Sequence, residues 1–203
     1  MAAITPETPL ILGSASPRRR ELLQGLGLSL RVRPADIDEE QRPAEAPLEY
    51  LERIVAEKLR AVAGVSAPGC SGILVADTIV VLDGQVLGKP RDVADAAALL
   101  TRLAGRTHTV YTRYALALSE SAPRIAAERT VASKVRLRAA GAGELSRYAG
   151  TGEGLDKAGA YAVQGIGAFL VETIDGSYTN VVGLPVCEVV LDLQRVGLLD
   201  RFP

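Results

Sequence analysis

Residues 73–82 read Ile-Leu-Val-Ala-Asp-Thr-Ile-Val-Val-Leu, an aliphatic and β-branched run interrupted by one carboxylate. A strand with no polar face must be covered on both sides, so this run requires a sheet with helices above and below it. Burying an isolated carboxylate in such a setting costs on the order of several kcal/mol. Asp77 must therefore meet a cation, a metal ion or a cleft.

A second constraint lies near the start. Ile11 and Leu12 have the character of a buried strand end, and the small residues Gly13, Ser14 and Ala15 follow. Ser16 is a good N-cap and Pro17 suits the first helical position, which puts Arg18, Arg19 and Arg20 in the first turn. A helix N-terminus already carries roughly half a positive charge, so cations there are unfavourable by a few tenths of a kcal/mol. Either the arginines splay into water, or an anion sits at the turn, held by free backbone N–H groups and guanidinium forks. Small residues would let a phosphate come close. The stretch matches neither G-x-x-x-x-G-K-[ST] nor G-x-G-x-x-G.

The remaining chain alternates helical and extended patterns. Residues 30–33 alternate like an exposed strand and lead into the acidic run 36–40. Apolar residues at 51, 54, 55, 59 and 62 predict an amphipathic helix from Leu48 to about Gly64, followed by a loop over 66–72. Asp83-Gly84 is a two-residue hairpin signal. Asp92 is an N-cap candidate for a helix that stops at Gly105. Residues 107–119 and 125–138 read as two long antiparallel strands joined through 119–123, and a short helix follows around 144–149. A glycine-dense loop covers 150–161, a strand is expected over 169–174 with a turn at 175–176, and a final helix over 185–196. This order predicts a single α/β domain over 1–203, a mixed β-sheet flanked by helices with two lobes around a central cleft. A content of 48% hydrophobic residues is enough for the core it requires.

The residue types restrict the chemistry. His108 is the sole histidine, so histidine-based triads and multi-histidine zinc sites have little to draw on; a structural role is expected for it. A net charge of −1 argues against binding of nucleic acid polymers, so any anion binding is local. Cys70 and Cys187 are too few for a disulfide framework, and no long apolar span or targeting segment is evident; a cytoplasmic, non-membrane protein is expected. Asp77 then reads as a buried salt-bridge partner, a hard oxygen ligand for Mg²⁺ or Mn²⁺, or a general base for water. Asp36, Asp38, Glu39 and Glu40 form either a solvated acidic loop or the source of a second oxygen ligand. Lys58, Lys89 and Lys157 are each candidate charge clamps on a phosphoryl group, with surface solvation as the alternative. Gln164 is either a polar turn residue or a reader of a base edge.

Taken together these segments resemble the Maf family of nucleoside triphosphate pyrophosphatases, historically described as septum formation inhibitors. The resemblance rests on SASPRRRELL (14–23), IDEE (37–40), ERIVAEKLRAV (52–62), VADTIVVLDGQVLGKPRD (75–92), LAGRTHTVYT (103–112), LDKAGAYAVQGIGAFLV (155–171) and IDGSYTNVVGLPV (174–186). It implies a Maf/ITPase-like fold and a metal-dependent hydrolase that splits a nucleoside triphosphate between its α- and β-phosphates. By position, Asp77 would be the proton acceptor, with Glu39 and Asp77 on a divalent cation, Mg²⁺ or Mn²⁺. Ser14, Arg18, Arg19, Lys58, Thr78, Lys89, Lys157 and Gln164 would surround the nucleotide. Arg18, Thr78, Gln164 and the LDKAGAY wording resemble the branch acting on dTTP and UTP, which also accepts some modified pyrimidine nucleotides. The family further implies a homodimer. SAS in place of SGS, Arg20, Lys134 and Gly154 depart from its usual pattern without removing a proposed catalytic group. Two other readings stand beside this one: a nucleotide-binding regulator of cell division with little turnover, and a nucleotidyltransferase that needs a second substrate.

Overall fold

The apolar run does become a strand with both faces covered. A computed structural model describes residues 3–63, 69–118, 124–200 and 202–203; the connection at 119–123, Gly64 and residues 66–68 of the 66–72 loop lie outside them. Seven strands form one mixed sheet, β1 (Leu10–Leu12), β2 (Leu30–Val32), β3 (Gly72–Leu82), β4 (Gln85–Leu87), β5 (Thr107–Leu118), β6 (Arg124–Leu137) and β7 (Val171–Asp175), in the order β2-β1-β3-β5-β6-β7 with β4 on β3. β1 runs parallel to β2 and β3, while β4 on β3 and β7 on β6 are antiparallel. The described residues divide into two units, one from 1–77, 112–131 and 183–203, the other from 78–111 and 132–182. Strands β3, β5 and β6 contribute residues to each.

In the first unit the period of two along β1 and β3 separates two cores. Leu10, Leu12, Leu74 and Ala76 face Leu23 of helix α1 (Pro17–Gly25) and Val189 and Leu193 of helix α6 (Val186–Arg195). Ile11, Ile73 and Val75 face Val55, Leu59 and Val62 of helix α2 (Pro47–Ala63). Asp77 shares the parity of Ile73 and Val75, so it belongs to the face that α2 covers. Gly13 sits tightly between β3 and α2: an added Cβ would lie 2.6 Å from Val75 Cγ1 and 2.9 Å from Val62 Cγ2. Gly13→Ala is therefore expected to lower stability by about 1–3 kcal/mol through overpacking, read as a lower urea midpoint at unchanged slope.

The second unit packs helix α3 (Val93–Leu103) and helix α4 (Ala142–Gly150) around Val80, Leu82, Leu87, Val110, Val135 and Leu137. Asp83 and Gly84 both adopt positive φ, at 50° and 76°, as a two-residue hairpin requires. The Asp92 carboxylate accepts from Asp95 N at 2.8 Å and caps α3. One predicted strand begins late: residues Gly165–Leu170 form a 3-10 turn and β7 starts only at Val171. A short helix, α5 (Tyr178–Val182), had no periodic signal; its buried Asn180 donates to Val110 O and Ser133 Oγ.

Candidate functional site

The first unit gathers six of the predicted residues. Ser16 caps α1 as expected, accepting from Arg19 N at 3.4 Å, and the three arginines then diverge. Arg20 is exposed, Arg18 half-buried and Arg19 buried. The Arg19 guanidinium donates to Ser14 Oγ at 2.9 Å and to Gly183 O at 2.7 Å, so this cation is fixed in place. Burial pulls its pKa below the ordinary arginine value, and Arg18 adds to that; Asp77 and Glu39 oppose it through their charge. The arginine turn and the strand acid thus share one electrostatic neighbourhood.

Lys58 explains how Asp77 is tolerated in β3. It projects from the apolar stripe of α2 among Ile54, Val55, Leu59 and Val62, and its ammonium meets Asp77 Oδ1 at 2.7 Å and Glu39 Oε1 at 2.6 Å. The Asp77 side chain is 15% exposed and that of Glu39 45%, so water and solutes can reach both carboxylates while the lysine stays sealed. The acid is therefore a salt-bridge partner, and its exposure also leaves it open to chemistry.

The acidic loop that supplies Glu39 is pinned to α2. Tyr50 Oη donates to Glu39 O at 2.8 Å, and Arg53 donates to Glu40 O at 2.9 Å while gripping Glu45 at 2.6 Å. The Arg53 guanidinium holds the Glu45 carboxyl down to about 2, against a smaller upward push from burial. Burial, reinforced by the charges of Asp77 and Glu39, pushes the Tyr50 hydroxyl up to about 12. Tyr50, Arg53 and Glu45 escaped the sequence reading; the i,i+4 pair Arg53–Glu57 was the one local signal among them, since Glu45 precedes α2.

Two carboxylates converging on one ammonium are suitable hard donors for a divalent cation. Mg²⁺ commonly takes one or two carboxylates and completes its shell with water and phosphate oxygens. Among the described residues no group of three or more His, Cys, Asp or Glu side chains could hold a metal alone. Glu39 and Asp77 therefore fit an ion that carries other ligands with it.

The second unit holds the other four predicted residues. Thr78 follows Asp77 in β3 and is half-buried, and Lys89 lies exposed just beyond β4. Lys157 is tied to Asp156 and to the Glu153 carbonyl, and exposed Gln164 immediately precedes the 3-10 turn. His108 is buried, hydrogen-bonded through Nε2 to Tyr161 Oη at 2.8 Å, and pushed by burial down to about 4; it is neutral at pH 7 and structural, as expected.

Comparison with known proteins adds the lineage. A dTTP/UTP pyrophosphatase of Myxococcus xanthus (strain DK1622) is 51% identical over 192 residues, covering 95% of this chain and 94% of its own length. The protein of that name from Anaeromyxobacter dehalogenans (strain 2CP-1 / ATCC BAA-258) is 49% identical over 188 residues, covering 93% and 94%. That from Geobacter sulfurreducens (strain ATCC 51573 / DSM 12127 / PCA) is 47% identical over 190 residues, covering 94% and 97%. A crystal structure titled as a nucleoside-triphosphatase and dITP/XTP pyrophosphatase from Mycobacterium abscessus aligns over 63% of this chain and 74% of that one at 16% identity and a TM-score of 0.36, too slight a likeness to add to the assignment. The family model described as Maf-like protein matches residues 9–196, and with it the chain belongs to the Maf family.

Proposed function

We propose that this protein is a nucleoside triphosphate pyrophosphatase that hydrolyses dTTP and UTP to the nucleoside monophosphate and pyrophosphate. The observation that carries the reading is the partly exposed Asp77 carboxylate, set by Lys58 beside Glu39 and under the field of buried Arg19. The substrate pair comes from the names of relatives about half identical over nearly the whole chain.

In this reading Asp77 accepts a proton from the water that attacks the α-phosphorus. A bond from that oxygen to phosphorus forms, the bridging oxygen leaves with the β-phosphate, and pyrophosphate departs. Arg18, Arg19, Ser14, Lys58, Lys89 and Lys157 bind and orient the triphosphate, whose hydrolysis depends mainly on positioning and charge neutralisation. Glu39 and Asp77 would hold a divalent cation, Mg²⁺ or Mn²⁺, which would supply charge neutralisation at the phosphate oxygens. Thr78 and Gln164 contact the nucleoside end. The enzyme acts in the cytoplasm as a homodimer, a state that sedimentation velocity reads directly.

A panel of single nucleotides (dTTP, UTP, CTP, GTP and 7-methyl-GTP) supplied with Mg²⁺ or Mn²⁺ and assayed for pyrophosphate tests the activity. Release of pyrophosphate from dTTP and UTP above the others is expected. Tight binding without turnover would favour the cell-division regulator instead, and orthophosphate as the sole product would place the cut at the wrong anhydride.

A further inference from the structure

The turn that follows Gln164 is held by one side chain that neither the catalytic chemistry nor the phosphate contacts use. Glu153 extends its carboxylate under residues 165–167, accepting from Ile166 N at 2.8 Å and Gly167 N at 2.7 Å. Both amides belong to the first turn of the 3-10 segment, the end at which a helix leaves N–H donors for outside partners. Tyr148 Oη donates to the same carboxylate at 2.8 Å and itself accepts from Ala162 N at 3.1 Å. The backbone carbonyl of Glu153 meanwhile accepts from Lys157 Nζ. One residue thereby fixes both Lys157 and the segment presenting Gln164.

The fit is close on every side. Gly165 has φ +68°, and a Cβ there would stand 2.2 Å from Glu153 Oε1. A Cβ on Gly167 would stand 2.3 Å from Tyr148 Oη. Burial pushes the Glu153 carboxyl up, yet the Gly167, Tyr148 and Ile166 donors and the Lys157 charge outweigh it and hold the pKa below the ordinary value. The carboxylate is thus ionised and fully engaged at neutral pH.

We propose that Glu153 is a positioning residue for base selection: by clamping the Ile166 and Gly167 amides it holds Gln164 in the one orientation that matches the hydrogen-bonding edge of thymine and uracil. The proposal rests on the pyrophosphatase reading above. A glutamine amide presents one acceptor oxygen and one NH₂ group, so Glu153→Gln turns a donor toward one of the three donors now bound. Released from its clamp, the turn samples several poses, and discrimination between pyrimidines that differ at position 4 falls.

The test measures kcat/KM for dTTP and dCTP in wild type and Glu153→Gln, with amide hydrogen exchange at Ile166 and Gly167 in the nucleotide-free proteins. The dTTP-to-dCTP ratio is expected to fall about tenfold, carried by KM for dTTP more than by kcat. Exchange at the two amides should accelerate while that of the β3 amides stays as in wild type. If Glu153→Gln fails to fold, Gly165→Ala, which pushes the carboxylate off the turn, is expected to reproduce the loss of ratio. An unchanged ratio, or unchanged exchange at both amides, overturns the proposal. A wild-type protein that hydrolyses neither nucleotide overturns the pyrophosphatase reading instead, which keeps the two failures apart.

Discussion

Asp77→Asn is expected to leave a folded protein that no longer releases pyrophosphate from dTTP or UTP. Asparagine keeps the shape of the side chain and one acceptor oxygen, so Lys58 retains a partner at position 77 as well as Glu39. No buried cation is orphaned, and the circular dichroism spectrum and melting temperature should stay near wild type. What asparagine cannot do is accept a proton at neutral pH. Loss of a positioned general base typically costs on the order of 10²–10⁴ in rate, and removal of an anionic metal ligand adds to that. Initial-rate pyrophosphate assays decide it, and turnover within a few-fold of wild type would remove Asp77 from the chemistry.

The largest stability effect is expected at a cluster to which the proposed chemistry assigns no role. Asp192 on α6 is fully buried, accepting from Tyr114 Oη at 2.6 Å and from both arms of the Arg129 guanidinium at 2.7 and 2.8 Å. Asp192→Ala strands the hydroxyl of the fully buried Tyr114 and removes the partner of Arg129. Breaking a buried, charge-assisted network of this kind costs about 3 kcal/mol. For a chain of this length that is roughly 6–12 °C in melting temperature, measurable by calorimetry. Hydrolysis by the folded fraction should be unaffected.

The same network predicts an acid response. Arg129 above all, aided by Tyr114 and opposed by burial, holds the Asp192 carboxyl below its ordinary range. Because the folded pKa is the lower one, the native state gains stability above the unfolded value of about 4, and the gain is lost as pH falls through the folded pKa. Urea midpoints should drop on acidification in wild type, and less steeply in Asp192→Ala.

Local signals carried much of the architecture. Ser16 with Pro17, Asp83 with Gly84 and Asp92 each encode their turn or cap within a few residues, and the structure places all three as expected. The aliphatic run of β3, interrupted only at Asp77 and Thr78, encodes burial on two faces equally locally. Lys58 and Asp192 were harder because they violate the pattern they occupy. Lys58 sits at helical spacing from Ile54, Val55 and Val62, and Asp192 three residues after Val189, so each is a charge on an apolar stripe. That contradiction marks a buried partner, yet the partner itself lies in another element and carries no sequence signature. The 3-10 turn at Gly165–Leu170 failed for a related reason. Its apolar residues run on into those of β7, and what bends it is a carboxylate twelve residues upstream of Gly165, beyond the reach of any periodicity. Tyr50 and Arg53 belong with these, since each donates to a backbone carbonyl of the acidic loop.

The first unit is assembled from three separated segments, and the last of them contributes α6. During translation Tyr114 leaves the ribosome 78 residues and Arg129 63 residues before Asp192 does, so the nascent chain carries a phenol and a guanidinium whose shared acceptor has not yet been synthesised. The peptide carbonyl of Gly183 that accepts from Arg19 is equally late. Synthesis of the segment from Gly183 to Arg195 thus supplies the partners that Arg19, Tyr114 and Arg129 await, and truncation ahead of position 183 would leave all three without them.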